Sequence, residues 1–297
     1  MLNGEPTRLK FNIAYMGPEW LFHLRRDFIL VLKYSLEDLG HDVALAGTSL
    51  DGSRFNLLIG AYALKPDLIA QIAKSGAAFA HINTEIIGND MLNRNPDKAD
   101  FLGDYLPSME AGSFVWDVVL DNVPEYESYG VNALFLRWGS HPKMADIQHR
   151  QEKELDYYFF GMLSERRKRL LQSLKAAGLR GTADHSCPYF LRNDRISRAK
   201  VQLNLIQDDK YTHVNSFRIC YLADNACCIL TEKEHDPANY LKYADVVQVS
   251  DLTEAVREYA ASGRWKDRGD KARADFAEHS MNSIVEELLD KSFAAVR

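Results

Sequence analysis

What this sequence lacks narrows its function first. Its 297 residues hold no apolar run near the ~20 residues that span a bilayer. The polar stretch from Met1 to Lys10 has no apolar core of a secretion signal. A cytoplasmic location and no membrane span are therefore expected. The four cysteines, Cys187, Cys220, Cys227 and Cys228, form no C-x-x-C pair and sit among apolar residues, the pattern of small buried thiols in a reducing compartment. No H-E-x-x-H marks a zinc site. No basic stripe stands out and the net charge is −6, which argues against nucleic acid as a partner. Without a G-x-x-x-x-G-K-[ST] stretch the chain is no P-loop ATPase. Without G-x-G-x-x-G after the first strand a dinucleotide dehydrogenase has little support. No Asp-x-Asp occurs, and Asp208-Asp209 is adjacent rather than spaced, so a metal-held diphosphate is not expected and no metal ligand is assigned. No internal repeat or low-complexity tract is present.

What remains is an alternation of short apolar runs and amphipathic segments. Phe11–Met16, Asp42–Ala46, Phe55–Ile59, Ala78–Ile82, Trp116–Leu120 and Ala133–Arg137 read as strands. Arg25–Leu39 has helical spacing at Phe28, Ile29, Leu32, Leu36 and Leu39 and is closed by Gly40; Pro66–Lys74 is a second helix. The rhythm pauses at Trp138-Gly139-Ser140-His141-Pro142 and restarts. Leu155–Phe160, Val201–Ile206, Cys227–Thr231 and Val246–Val249 are strands; Ser164–Ala177, Phe217–Asp224, Pro237–Tyr243 and Leu252–Ala261 are helices; and Trp265–Val296 is largely helical. This pattern implies an α/β chain with parallel sheets covered on both faces, and the length allows two cores. The expected divisions are 1–142, 143–272 and a C-terminal helix in 273–297. Two such halves leave a cleft, and ligands of open α/β sheets bind outside the carboxyl ends of the strands.

Two strand-to-helix junctions in the second half carry the chemistry. In Phe160-Gly161-Met162-Leu163-Ser164-Glu165-Arg166-Arg167, a buried strand meets a glycine and then a helix capped by Ser164. A helix N-terminus with free N–H groups and a positive dipole end suits a phosphate; an ordinary capped helix with Arg166 and Arg167 in solvent reads the same residues. In His213-Val214-Asn215-Ser216-Phe217-Arg218, Asn215 or Ser216 caps a helix whose first turn holds Arg218. An arginine there opposes the helix dipole, a penalty that a bound anion removes. Glu232 ends the following strand.

The span from Tyr157 to Ser250 resembles the C-terminal domain of GT-B glycosyltransferases, in particular the group related to bacterial spore-maturation glycosyltransferases. The family's strand-G-x-x-S-x-x-R stretch is similar to Gly161, Ser164 and Arg167, with Arg166 as an equal alternative. Its S-x-R-x-F-E-x-x-A-x-G stretch is similar to Ser216 through Ala226, with Cys227–Thr231 and Glu232 as the strand and acid that follow. The resemblance implies two Rossmann-like domains, an N-terminal one for the acceptor and a C-terminal one for a nucleotide-sugar, with the C-terminal helix returning to the first. It implies that Arg218 binds the diphosphate of the sugar donor. The family's acidic residue, which holds the ribose, falls on Tyr221, and its glycine falls on Ala226. The loop Asp184–Phe190 corresponds to one that touches the base, which Tyr189 or Phe190 would stack on.

The expected activity is metal-independent transfer of a sugar from a nucleoside diphosphate sugar such as a UDP-sugar to an acceptor hydroxyl, with no further cofactor. The acceptor is a glycan, a protein or a small molecule. A base for that hydroxyl needs hydrogen-bond reach; the candidates are Glu85, His23 and Glu19, which follow strands of the first half. Acceptor choice would lie in the Asn- and Asp-rich stretch Ile87–Leu106, a candidate lid. A non-catalytic binding or scaffold protein, with Tyr221 marking lost catalysis, and a sugar-nucleotide epimerase are the other readings.

Overall fold

The computed structural model describes residues 8–88, 91–92, 103, 105–208 and 212–294. Most of the Ile87–Leu106 stretch, and Asp209, lie outside the described residues.

The chain forms two units. The first comprises 1–22, 29–137 and 281–297, the second 23–28 and 138–280. Elements of the first unit, in order, are β1 (Lys10–Tyr15), α1 (Glu19–Asp38), β2 (Asp42–Leu45), β3 (Phe55–Ile59), α2 (Pro66–Lys74), β4 (Phe79–Asn83), the short pair β5 (Ile87–Gly88) and β6 (Met91–Leu92), α3 (Leu106–Ala111), β7 (Val115–Asp117), α4 (Asn122–Ser128) and β8 (Ala133–Phe135). The second unit holds β9 (Leu155–Phe160), α5 (Glu165–Ala176), β10 (Gly181–Asp184), α6 (Tyr189–Arg198), β11 (Ala199–Asn204), α7 (Ser216–Asp224), β12 (Cys228–Thr231), β13 (Asp245–Val246), α8 (Leu252–Ser262) and α9 (Arg264–Ala277). Helix α10 (Met281–Ala294) counts with the first unit.

Each unit is a parallel sheet. The first runs β2-β1-β3-β4-β7-β8 and the second β10-β9-β11-β12-β13. All pairings in both are parallel. The central strands are buried on both faces, as crossover helices require: Asn12, Ile13 and Ala14 of β1 and Gln202, Leu203 and Asn204 of β11 are all buried.

Several elements depart from the periodicity reading for local reasons. Helix α1 starts at Glu19, directly behind Gly17-Pro18, so Glu19 and His23 stand on a helix and not on a strand-end loop. The run Trp116–Leu120 is a strand only to Asp117, because the Asp117 carboxylate accepts from Val119 N–H (2.7 Å) and turns the chain toward α4. The Pro237–Tyr243 helix shrinks to a 3-10 turn at Leu241–Tyr243, since Asn239 takes φ 59° and Asp236 accepts from Leu241 N–H. The C-terminal segment divides at 278–280, and its last helix begins at Met281, not near 273. There Phe293 packs edge-on against Phe55 and Phe114, and Trp116 donates to Ser292 Oγ (2.9 Å).

Candidate functional site

The carboxyl ends of β9, β11 and β12 bring together most of the residues singled out in the second half. Gly161 leaves β9 at φ 128°, a conformation that side chains rarely adopt. A Cβ there would lie 2.5 Å from Arg218 Nη2, so the missing side chain is the space that the guanidinium occupies. Ser164 caps α5, its Oγ accepting from Arg167 N–H (3.3 Å) and donating to Gln207 C=O (2.6 Å). Asn215 caps α7 by accepting from Arg218 N–H (3.1 Å), and Ser216 begins the helix, buried.

The three arginines differ in what holds them. Arg166 forks onto Glu232, with Nη1 donating to Oε2 (2.9 Å) and Nη2 to Oε1. Glu232 Oε2 also accepts from Ile206 N–H (2.7 Å), so this acid is spent inside the protein. Arg167 donates only to main-chain carbonyls, those of Leu205 and Met162. Arg218 donates to Phe160 C=O through Nε and Nη2 (3.2 and 2.9 Å) and to Asn204 Oδ1 through Nη1 (2.6 Å). Both Arg167 and Arg218 are buried, and neither forms an ion pair among the described residues. Burial lowers the pKa of each, to about 10 for Arg167 and about 9 for Arg218, where the second arginine adds to the effect. Both guanidinium groups thus hydrogen-bond only to neutral acceptors among the described residues, while Glu234, held on the far side of Asn204, is the nearby carboxylate that attracts them.

Tyr221 stands differently. It is 1 % exposed, its hydroxyl donates to Asp146 Oδ1 (2.8 Å) or Asn193 Oδ1 (2.9 Å), and Arg192 lies 4.2 Å over its ring. Arg192 in turn forks onto buried Asp27. The position where the family has a ribose-binding acid thus holds a side chain already committed to its neighbours. Tyr189 and Phe190 open α6, 41 % and 65 % exposed. Arg26 lies 3.7 Å over the Tyr189 ring, which leaves Phe190 the freer aromatic surface.

In the first unit, Glu85 follows β4 and is buried, and Glu19 is exposed at the start of α1; His23, one turn on and also exposed, counts with the second unit. A network that the sequence reading missed holds the Glu85 segment. Asn83 and Asn122 both donate to Glu85 C=O (2.7 and 2.8 Å), and Asn122 Oδ1 accepts from Ile87 N–H (2.8 Å). The same two amides and the Tyr126 hydroxyl converge on Asp117 Oδ2. Asn83, Asp117 and Asn122 are fully buried, and burial pushes the Asp117 carboxyl up to about 6. Thr84 Oγ1 donates to Glu85 Oε1 (3.2 Å).

The sequence reading also missed Asn204 and Glu234. A polar residue inside the apolar run Val201–Ile206 was the available signal for Asn204, and the acid two positions past Glu232 for Glu234.

No protein-family profile and no curated protein matches this chain in sequence. Solved structures do match in fold. An alpha-glucosyltransferase in complex with UDP and a 13-mer DNA superimposes with a TM-score of 0.64 at 7 % identity, over 97 % of this chain and 100 % of that one. AviGT4, a glycosyltransferase involved in Avilamycin A biosynthesis, gives 0.59 at 11 % identity over 96 % and 97 %. A DNA-modifying beta-glucosyltransferase, described with and without uridine diphosphoglucose, gives 0.54 at 14 % identity over 96 % and 99 %. The fold is thus α/β, with two parallel-sheet Rossmann-like units as in the GT-B fold of these solved structures. Among the described residues no helix is long and apolar enough to cross a membrane.

Proposed function

We propose that this protein transfers a sugar from a nucleoside diphosphate sugar to an acceptor hydroxyl, using fixed protein charges in place of a metal ion and no resident cofactor. The observation that carries the reading is the pair of buried arginines, Arg167 and Arg218, at the carboxyl ends of β9 and β11, each bonded only to neutral acceptors. A leaving diphosphate supplies a negative charge in direct contact with them, and preorganised charges of this kind stabilise a leaving group as it departs. Ser164 and Asn215 place two helix N-termini beside the same anion.

In this reading the second unit takes the nucleotide-sugar and the first unit the acceptor. UDP, the nucleotide bound in the alpha-glucosyltransferase structure, is the first nucleotide to test. Phe190 is the surface on which its base would stack. Glu85, carried by the Asp117 network, is the preferred proton acceptor, ahead of His23 and Glu19. The net charge of −6 favours a glycan, protein or small-molecule acceptor over nucleic acid. The group related to spore-maturation glycosyltransferases is the assigned relative, and the cytoplasm the assigned location.

Calorimetric titration with UDP, GDP, ADP and dTDP, in EDTA and then with Mg²⁺ or Mn²⁺, tests the reading. One nucleotide is expected to bind equally well with and without metal, and Arg218→Ala to abolish that binding. If none binds the wild type, the reading fails. Tyr221 supports a second reading, a binding protein that keeps the fold without turnover, because its hydroxyl is tied to Asp146 and Asn193. Nucleotide binding with no donor hydrolysis or transfer for any sugar would favour it.

A further inference from the structure

Glu234, just past β12, takes no part in the ion pair that consumes Glu232. We propose that Glu234 balances the charge of Arg218 and Arg167 in the ligand-free protein and takes up a proton when a diphosphate binds them. Binding of the sugar donor is then coupled to uptake of one proton. The inference rests on the donor-site reading above.

The geometry turns on Asn204. This residue is fully buried at the end of β11 and faces both charges. Its Oδ1 accepts from Arg218 Nη1 (2.6 Å), while its Nδ2 donates to Glu234 Oε2 and to Thr231 Oγ1 (2.8 Å). Thr231 Oγ1 also reaches Glu234 Oε2 (3.3 Å). One carboxamide therefore separates the guanidinium from the carboxyl. Glu234 is itself partly exposed, so a proton can reach it from solvent.

A diphosphate seated on Arg218 brings at least two negative charges into this field. Like charges at such range in a poorly solvated site cannot all persist. Burial has already pushed the Glu234 carboxyl up to about 7, despite the opposing attraction of Arg218. It is thus the group that yields: carboxylate plus a proton from bulk water gives the carboxylic acid, with no bond made to the ligand. The protonated acid still accepts from Asn204 and Thr231 at Oε2.

Other charges face the same place. Arg166 and Arg167 come from α5, Arg218 from α7, Asp208 from the segment after β11, and Glu232 from the chain beside Glu234. His213 bridges to His235 through the backbone, their rings 4.9 Å apart. The comparison is therefore with a variant that keeps both imidazoles.

The test is titration calorimetry of the full chain with UDP, or whichever of the four nucleotides binds. It is run between pH 6 and 8.5 in paired buffers of different ionisation enthalpy, on wild type and Glu234→Gln. The terminal phosphate of the nucleotide titrates near 6, so the decisive range lies above pH 7.5. The wild type is expected to take up close to one proton per nucleotide near pH 8, its Kd weakening about tenfold per pH unit above 7. Glu234→Gln, whose amide oxygen still accepts from Asn204 and Thr231, is expected to bind with nearly pH-independent affinity and little uptake. Binding by the wild type without proton uptake overturns the coupling by itself, as does equal uptake in Glu234→Gln; either leaves the donor-site reading standing. No binding of any nucleotide by the wild type removes the donor-site reading, and the inference with it.

Discussion

The two units each bury a charged cluster at the carboxyl ends of their strands, and the clusters are built on opposite terms. In the first unit, Asp117 is a carboxylate surrounded by donors: Asn83, Asn122 and Tyr126 on one oxygen, Val119 N–H on the other. In the second unit, Arg167 and Arg218 are cations surrounded by carbonyls, with no carboxylate in contact. A carboxylate that accepts four hydrogen bonds is complete, and it fixes the chain segment that carries Glu85. Paired cations that touch only neutral acceptors, with Glu234 held off from Arg218 by Asn204, have no anion in direct contact among the described residues. In the reading proposed above, the first arrangement is a lock and the second a place for a ligand.

If that contrast holds, the largest effect on stability comes from the lock. Asp117→Ala leaves buried N–H and O–H groups of Asn83, Asn122, Tyr126 and Val119 without an acceptor and opens a cavity. A loss of about 4 kcal/mol in denaturant unfolding is expected. The sign of its pH dependence also follows. The folded carboxyl sits at about 6 against an ordinary 3.8, so the stability it contributes is fully present below about pH 4 and falls as pH rises through 6. The difference between wild type and variant should accordingly be largest near pH 4 and smallest above 6.5. An Asp117→Ala protein as stable as the wild type would remove the idea of a lock.

Arg218→Met makes the opposite cut. It replaces a buried cation by an apolar side chain of similar length, so its cost to folding is expected to stay within about 2 kcal/mol, the loss being the donors to Phe160 C=O and Asn204. Nucleotide binding should weaken by about 100-fold or more. Unfolding of the variant with loss comparable to Asp117→Ala would make Arg218 a structural residue and erase the contrast.

How far the sequence spoke for each cluster follows from what built it. The second was legible because local rules mark each of its two junctions: a glycine and a capping serine within four residues at Gly161–Ser164, and a capping residue beside an arginine placed against the helix dipole at Asn215–Arg218. The first was not, because Asn83, Asp117, Asn122 and Tyr126 are spread over 44 positions and meet only when β4 and β7 pair, with His81 beside Val115 and Asn83 beside Asp117. Asp117 was hidden further by the apolar residues around it, which read as one strand through Leu120. The same limit applies to Asn204 and Glu234, joined only through the pairing of β11 with β12.

Gly161→Ala tests whether the second cluster depends on backbone shape as well as charge. The added methyl meets Arg218 Nη2 at a φ that strains any side chain. A stability loss of about 2 kcal/mol and roughly tenfold weaker nucleotide binding are expected, from thermal melts and the same titration. Unchanged binding would show that Arg218 does not need its position against Gly161.

The smallest effect is expected at Ala226, where the family-like stretch has an alanine in place of glycine. Helix α7 closes in a Schellman arrangement: Cys227 N–H bonds Leu222 C=O (3.0 Å) and Ala226 N–H bonds Ala223 C=O (3.0 Å). That closure forces Ala226 to φ 51°, the left-handed region. The turn cannot relax, because α9 packs on it so closely that a Cβ on Gly269 would lie 2.1 Å from Ala226 C=O. Alanine pays about 1–2 kcal/mol of strain there, and glycine returns part of it as unfolded-chain entropy. Ala226→Gly is therefore expected to stabilise the protein by about 0.5–1 kcal/mol without changing nucleotide affinity. Because Asn215 and Arg218 open the helix that this turn closes, a change in affinity would mean that the cation cluster responds to strain at the far end of α7.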